Sequence, residues 1–217
     1  MASKNRKNKV KFKLTPELIV LVAVLVVMLV ATIIMAIPSA KQNTTTKFNN
    51  SIAAYNSSQS SSGSSTSSSA NYLPNDHVFV EVEHSELFKK VKSNDYVYVL
   101  YGNPANSTIA ANLASINSIC SDLEIKEVCF YSSLWVEKFE DKDTETFNLV
   151  AKTLEDDFNT TKAADVEDFD LLTYPALLVF NKGKLVFNYQ TYKDETGYNW
   201  SMYIQKAFYL SKVEQQQ

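Results

Sequence analysis

The clearest structural signal in this chain is the stretch YPALLVFNKGKLV, which runs from Tyr174 to Val186. Two apolar runs flank the tripeptide 181–183 (NKG), and a glycine-containing turn between two such runs is typical of a β-hairpin. The spacing predicts strands over 176–180 and 184–189. A proline directly before the first of these strands is compatible with a strand start, where no ladder hydrogen bond is lost.

Upstream of the hairpin, strand-like and helix-like segments alternate. Short apolar runs predict three further strands, at 78–82, 96–101 and 127–131. Amphipathic spacing predicts four helices, after Ser85, over 107–123, around 147–158 and around 200–208. The order βαβαβ, then a helical stretch, then ββα predicts an α/β domain with a mixed sheet, parallel strands first and an antiparallel hairpin last, and helices on both faces.

This order resembles the thioredoxin fold. In thioredoxin-like proteins a cis-proline precedes a strand of this kind, and the hairpin that follows carries a glycine. The resemblance covers about residues 78–211, within a predicted domain at 76–213, and implies that Pro175 is that proline, with a cis Tyr174–Pro175 bond. An ordinary trans proline at the start of an edge strand is the alternative.

The thioredoxin active site corresponds to the turn from the second strand into the long helix. Here the chain reads LYGNPANSTI from Leu100 to Ile109, which is similar to the G-x-P-x-C-x-x-C form of secreted thioredoxin-like proteins, including the bacteriocin-transport accessory group. On that register Asn106 and Ile109 occupy the two cysteine positions. Disulfide exchange needs one thiol that attacks and another that resolves. The resemblance therefore implies a redox-inactive relative, and no catalytic residue is assigned.

The same helix start has two further interpretations, which are compatible with each other. Asn106 is well suited to cap the helix, which would leave a purely structural turn. An anion or an extended peptide could also bind here, because a helix N-terminus attracts negative charge and the loop before the cis-proline pairs with substrate backbone in thioredoxins. The residues assigned to such a peptide site are Gly102, Asn103, Pro104, Ser107, Tyr174 and Pro175.

The two cysteines, Cys120 and Cys129, lie elsewhere, at the end of the long helix and in the next strand. A helix packed on a sheet is about 10 Å from it, whereas a disulfide needs Cα atoms within about 7 Å. We therefore expect buried, unpaired thiols. A structural disulfide is the first alternative, since an extracytoplasmic setting favours oxidation. A catalytic pair, and with it a thiol–disulfide oxidoreductase, is the second.

The N-terminal part predicts a membrane anchor. Residues 18–37 form a run of 20 in which Thr32 is the only polar side chain, long enough to cross a hydrocarbon core of about 30 Å. Six Lys and Arg within 1–17 predict a cytoplasmic N-terminus and an extracytoplasmic domain on a single-pass cell-membrane protein. A cleaved signal peptide and a buried core helix are the alternatives.

The segment 38–75 is predicted to be a flexible linker, because it is rich in serine and shows neither a helical nor a strand period. A short tail is predicted at 214–217. The two histidines, His77 and His84, flank Glu81 and Glu83, which is too few ligands for a metal centre. A solvated strand edge is expected there.

Charge divides the chain into two parts. Residues 1–70 carry eight Lys and Arg and one acid, whereas residues 71–217 carry 13 Lys and Arg against 23 Asp and Glu. An acidic globular part argues against nucleic acid as a partner. No cofactor and no metal are expected. The resemblance to the transport-accessory group implies a non-enzymatic binding or accessory module for secretion or envelope proteins.

Overall fold

The computed structural model describes residues 40–61, 70–134, 144–190 and 205–208, all within one unit that starts at Ala40. The helices are α1 (Ala40–Ser61), α2 (His84–Ser93), α3 (Ser107–Asp122) and α4 (Thr144–Asn159), and 205–208 are also helical. The strands are β1 (Phe79–Val82), β2 (Tyr96–Gly102), β3 (Val128–Ser132), β4 (Ala176–Asn181) and β5 (Lys184–Gln190).

The five strands form one mixed sheet in the order β1-β3-β2-β4-β5. β3 pairs in parallel with both β1 and β2, whereas β4 is antiparallel to β2 and to β5. The turn between β4 and β5 has positive φ at Lys182 (47°) and Gly183 (83°), which a two-residue type I′ hairpin requires. The predicted mixed α/β sheet is confirmed, and its strand order is consistent with the thioredoxin-like fold.

The sheet separates two layers of buried side chains. Along β3, Val128 and Phe130 face one layer while Cys129 and Tyr131 face the other, as alternation in a strand demands. The first core layer contains α1, α3 and the 205–208 segment, through side chains that include Phe48, Ile52, Leu113, Ile116 and Phe208. The second core layer contains α2 and α4, through Leu87, Val91, Ala151 and Phe158. Helices therefore cover both faces, as predicted.

The flexible linker predicted for 38–75 is wrong over 40–61. These residues form the 22-residue helix α1, whose Phe48 and Ile52 are fully buried in the first core layer. The rings of Phe79 and Phe130 meet Phe48 edge to face, with centroids 5.5 and 4.8 Å away. The helix is held by these non-local contacts, since its own composition, dominated by Asn, Ser and Thr, has little helical propensity.

Two asparagines of α1 fasten the chain that follows the helix. Asn49 accepts a hydrogen bond from the backbone N–H of Leu73 (2.8 Å) and donates one to its carbonyl oxygen (3.1 Å). Asn56 makes the same pair of bonds to the backbone of Ala70, at 2.8 and 2.9 Å. Each side-chain amide therefore satisfies one backbone N–H and one carbonyl oxygen of the segment after α1, as a neighbouring strand would in a sheet. The serine-rich residues 62–69 lie outside the described residues.

A third contact ties α1 to the strand edge. The backbone N–H of Phe79 donates to Nδ1 of His77 (3.1 Å), so the proton of this ring is on Nε2. That nitrogen donates to Oγ1 of Thr45 (2.9 Å), which in turn donates to the carbonyl oxygen of Lys41 (2.8 Å). His77 is fully buried, so the solvated edge expected for it is wrong.

Within the described ranges, no helix combines the length and the apolar character that crossing a bilayer demands. The predicted span at 18–37 lies outside those ranges. The predicted tails at 1–17 and 214–217 lie outside them as well.

Candidate functional site

The end of β2, the start of α3 and the loop before β4 meet at Gly102. A Cβ atom placed on Gly102 would lie 2.7 Å from Cδ1 of Ile109 and 3.4 Å from Cα of Pro175. The φ angle of Gly102 is +150°, which also disfavours any larger residue. The Tyr174–Pro175 bond is cis, as predicted. The structure therefore brings together three of the sequence-predicted positions from three separate segments of the chain.

Side chains at the start of α3 and in the turn before it accept hydrogen bonds from nearby backbone N–H groups. The side-chain oxygen of Asn106 accepts hydrogen bonds from the N–H groups of Thr108 (2.9 Å) and Ile109 (3.3 Å). Before it, the side-chain oxygen of Asn103 accepts from the N–H of Ala105 (2.8 Å). The N–H groups of Thr108 and Ile109 would otherwise be free to stabilise a thiolate or a bound anion at the helix N-terminus. The capped-helix interpretation thus describes this end, and the anion interpretation loses two of its donors.

The second cysteine position is apolar and inaccessible. Ile109 is 1% exposed and belongs to the first core layer. Pro104 is also buried, whereas Ser107 is exposed and Asn103 is partly exposed. Of the six residues assigned to a peptide site, those with surface to offer are therefore Asn103, Ser107 and Tyr174, which is half-buried.

One residue that the sequence analysis missed holds the loop before Pro175. Gln190, 4% exposed at the end of β5, donates from Nε2 to the carbonyl oxygens of Asp170 (2.6 Å) and Thr173 (2.8 Å). Its Oε1 accepts from the N–H of Asp170 (3.0 Å). No local pattern marks this residue, because its partners lie 17 and 20 positions earlier in the chain.

The same loop is also stabilised by hydrogen bonds from its own Asp170 and from Tyr101 of β2. The carboxylate of Asp170 accepts from the N–H of Leu172 (2.9 Å) and from Oγ1 of Thr173 (2.6 Å). The hydroxyl of Tyr101, which is fully buried, donates to the carbonyl oxygen of Leu171 (2.6 Å). Burial raises the pKa of Tyr101, so this hydroxyl stays protonated and keeps its donor. Tyr174 thus follows a loop whose conformation is fixed by these six side-chain hydrogen bonds.

The two cysteines lie on opposite sides of the sheet. Cys120 packs in the first core layer and Cys129 in the second, and both are free. Burial raises the pKa of each thiol to about 12. A nucleophilic or metal-binding cysteine needs the opposite shift, because the thiolate is the reactive form. The structure contains no disulfide between them, so that alternative is not realised.

His84 is also engaged, contrary to the solvated edge expected for it. Its Nε2 lies 2.8 Å from Oδ2 of Asp157, and its Nδ1 lies 3.1 Å from the hydroxyl of Tyr131. The ring packs against Phe88, with centroids 4.8 Å apart. These contacts join the first residue of α2 to α4 and to β3, and they give His84 a structural role.

Comparison with known proteins identifies no family for this chain. No family model matches it, and no curated protein matches it. Among solved structures, one chain described as "A putative oxidoreductase with a thioredoxin fold" aligns with 62% of this chain and 94% of its own length, at 11% identity. The TM-score of that alignment is 0.36, which is too low to carry an inference about activity or partners.

Proposed function

We propose that this protein is a membrane-tethered, extracytoplasmic domain of thioredoxin-like fold that binds extended segments of other proteins and does not exchange disulfides. In this proposal it serves as an accessory module for secreted or envelope proteins. The tether rests on the apolar run at 18–37 and on the basic residues that precede it. The accessory role rests on the resemblance to transport-accessory proteins.

The observation that carries the proposal is the closed start of α3. Asn106 occupies the position of an attacking cysteine, and its amide consumes the N–H groups of Thr108 and Ile109. A thiolate at this point would need those donors. The side chain at this position therefore stabilises the helix start and does not support disulfide exchange. We assign the protein a binding role for this reason.

The loop before Pro175 supports recognition of an extended peptide. The six side-chain hydrogen bonds described above hold it, and Tyr174, at its end, is half-buried. A rigid loop that offers backbone groups beside an aromatic side chain reduces the ordering cost of binding. Asn103 and Ser107, which follow Gly102 in the turn into α3, add polar side chains with exposed surface.

Cross-linking in cells that produce the full-length chain tests this proposal. Partners captured by the wild type are compared with those captured by Tyr174→Ala and by the control Tyr72→Ala, whose tyrosine is 58% exposed. We expect Tyr174→Ala to lose partners that the control retains. An identical set of partners for all three proteins would refute the peptide site. Accessibility of the domain to an added protease tests its extracytoplasmic placement separately.

The alternative function is a thiol–disulfide oxidoreductase that uses Cys120 and Cys129. It requires both thiols to become accessible, since they are buried in different core layers. Insulin reduction by the wild-type chain, with Cys120→Ser as the matched variant, distinguishes the two functions. Turnover that disappears in the variant would favour the oxidoreductase.

A further inference from the structure

A groove lies at the free edge of β1 and extends around the end of that strand to Tyr131 and Ser132, at the end of β3. Its volume is about 730 Å³, within the range of sites that hold small ligands or short peptides. The first turn of α1 borders it on one face of the sheet, and the first turn of α2 borders it on the other. Its lining includes Lys41, Asn43, Phe79, Glu81, Glu83 and Glu86.

The backbone along this groove has hydrogen-bonding groups to offer. The N–H of Val128 donates to the carbonyl oxygen of Val78 (2.9 Å), and the parallel register then directs Val80 and Val82 toward β3. The alternate residues, Phe79 and Glu81, direct their backbone groups to the outer side. His77 accepts the N–H of Phe79. Among the described residues, nothing bonds to the N–H or the carbonyl oxygen of Glu81, or to the carbonyl oxygen of Phe79.

A row of unpaired N–H and C=O groups on an edge strand is the template for strand addition. An incoming strand accepts from the N–H of Glu81 and donates to the carbonyl oxygens of Phe79 and Glu81. Its side chains then alternate between the α1 side and the α2 side of the groove. The hydrogen bonds supply affinity for any extended backbone, so specificity must come from the side chains that border the groove.

Charge at the end of β1 and in the first turn of α2 selects the occupant. Glu83 and Glu86 both line the groove and are exposed, and neither forms an ion pair within the described part of the chain. Glu81 is already neutralised by Lys47, whose Nζ lies 2.5 Å from its carboxylate. Two exposed carboxylates without an ion pair beside an open strand edge favour Lys or Arg in the incoming segment.

We propose that the outer edge of β1 binds an extended basic segment of a partner protein by strand addition, with its cationic side chains directed at Glu83 and Glu86. This site is distinct from the Tyr174–Pro175 loop, because β1 and β4 are separated in the sheet by β3 and β2. The inference therefore stands independently of the peptide site under the proposed function.

The probe is a fluorescent octapeptide of alternating Val and Lys, titrated against the full-length chain in detergent micelles, with empty micelles as the blank. We expect saturable binding that weakens about tenfold or more in Glu83→Lys/Glu86→Lys. The control Asp95→Lys/Glu124→Lys changes the same amount of charge at exposed positions away from the groove and should bind as the wild type does.

Backbone methylation separates strand addition from simple charge attraction. Two versions of the octapeptide carry N-methyl groups on one or the other alternate set of residues, since only one set faces β1. We expect one version to lose binding and the other to retain it, and the amide of Glu81 to exchange more slowly when the unmodified peptide is bound. Equal binding by the two versions, an unaltered Glu81 amide, or no binding at all would overturn the proposal.

Discussion

Replacing Phe48 by alanine tests whether α1 is an integral part of the domain. The side chain is fully buried and lies edge to face with Phe79 and Phe130. Truncation of a buried phenylalanine costs about 3–5 kcal/mol of unfolding free energy, through lost burial and the cavity left behind. For a domain of this size each kcal/mol lowers the melting temperature by about 2–4 °C. The expected decrease is therefore about 6–20 °C.

The measurement is thermal and urea unfolding of the full-length chain, followed by circular dichroism. Asn50→Ala is the matched control, because Asn50 is exposed on the same helix and its replacement should change stability by no more than about 0.5 kcal/mol. The stability of Phe48→Leu should lie between that of Phe48→Ala and that of Asn50→Ala. If Phe48→Ala were as mild as the control, residues 40–61 would behave as the tether that the sequence analysis predicted, and the docked helix would be refuted.

Three further predictions concern the loss of stability at low pH, the reactivity of the two thiols, and the two positions at the start of α3 that correspond to the thioredoxin cysteines. Burial, and then the nearby Lys41, lower the pKa of His77, so the neutral ring's contribution to stability is full above the unfolded-state pKa of about 6.5 and is lost as the pH falls below that value. Urea midpoints measured across pH 4–8 should decrease as the pH falls. In His77→Gln the midpoints should depend less on pH. Cys120 and Cys129, whose pKa values burial raises to about 12, should react with a thiol reagent only after denaturation; rapid labelling of the native chain would contradict their placement. The double variant Asn106→Cys/Ile109→Cys should form a disulfide and gain insulin-reductase activity if the register at the start of α3 is correct, and a pair that stays reduced under mild oxidant would show that it is not.

The strands were predictable because their signal is local. Continuous apolar runs such as Tyr96–Tyr101 mark strands that are covered on both faces, and the hairpin has a glycine-containing turn. The cap at Asn106 also follows from residue type and position. In each case the residues that make the contact are close in sequence, or the pattern depends only on which side chains are apolar.

α1 could not be predicted in this way, because the contacts that stabilise it are distant in sequence. Two apolar residues, Phe48 and Ile52, anchor it among polar neighbours, and Asn49 and Asn56 bind backbone 24 and 14 residues away. The role of Gln190 escaped prediction for the same reason. A glutamine at a strand end is expected to lie on the surface, and only the folded structure shows that its amide is hydrogen-bonded to the loop before Pro175.

The division of the interior by the sheet has a consequence for how mutations combine. Ile109 belongs to the first core layer and Tyr174 packs against the second, and Gly102 lies beside both Ile109 and Pro175, the residue that follows Tyr174. Substitutions more than about 7–10 Å apart without shared partners add in free energy to within about 0.5 kcal/mol. Substitutions in helices on opposite faces of the sheet should therefore have nearly additive effects on the free energy of unfolding. At Gly102, which lies beside Ile109 and Pro175, substitutions should instead be coupled to changes at both neighbours.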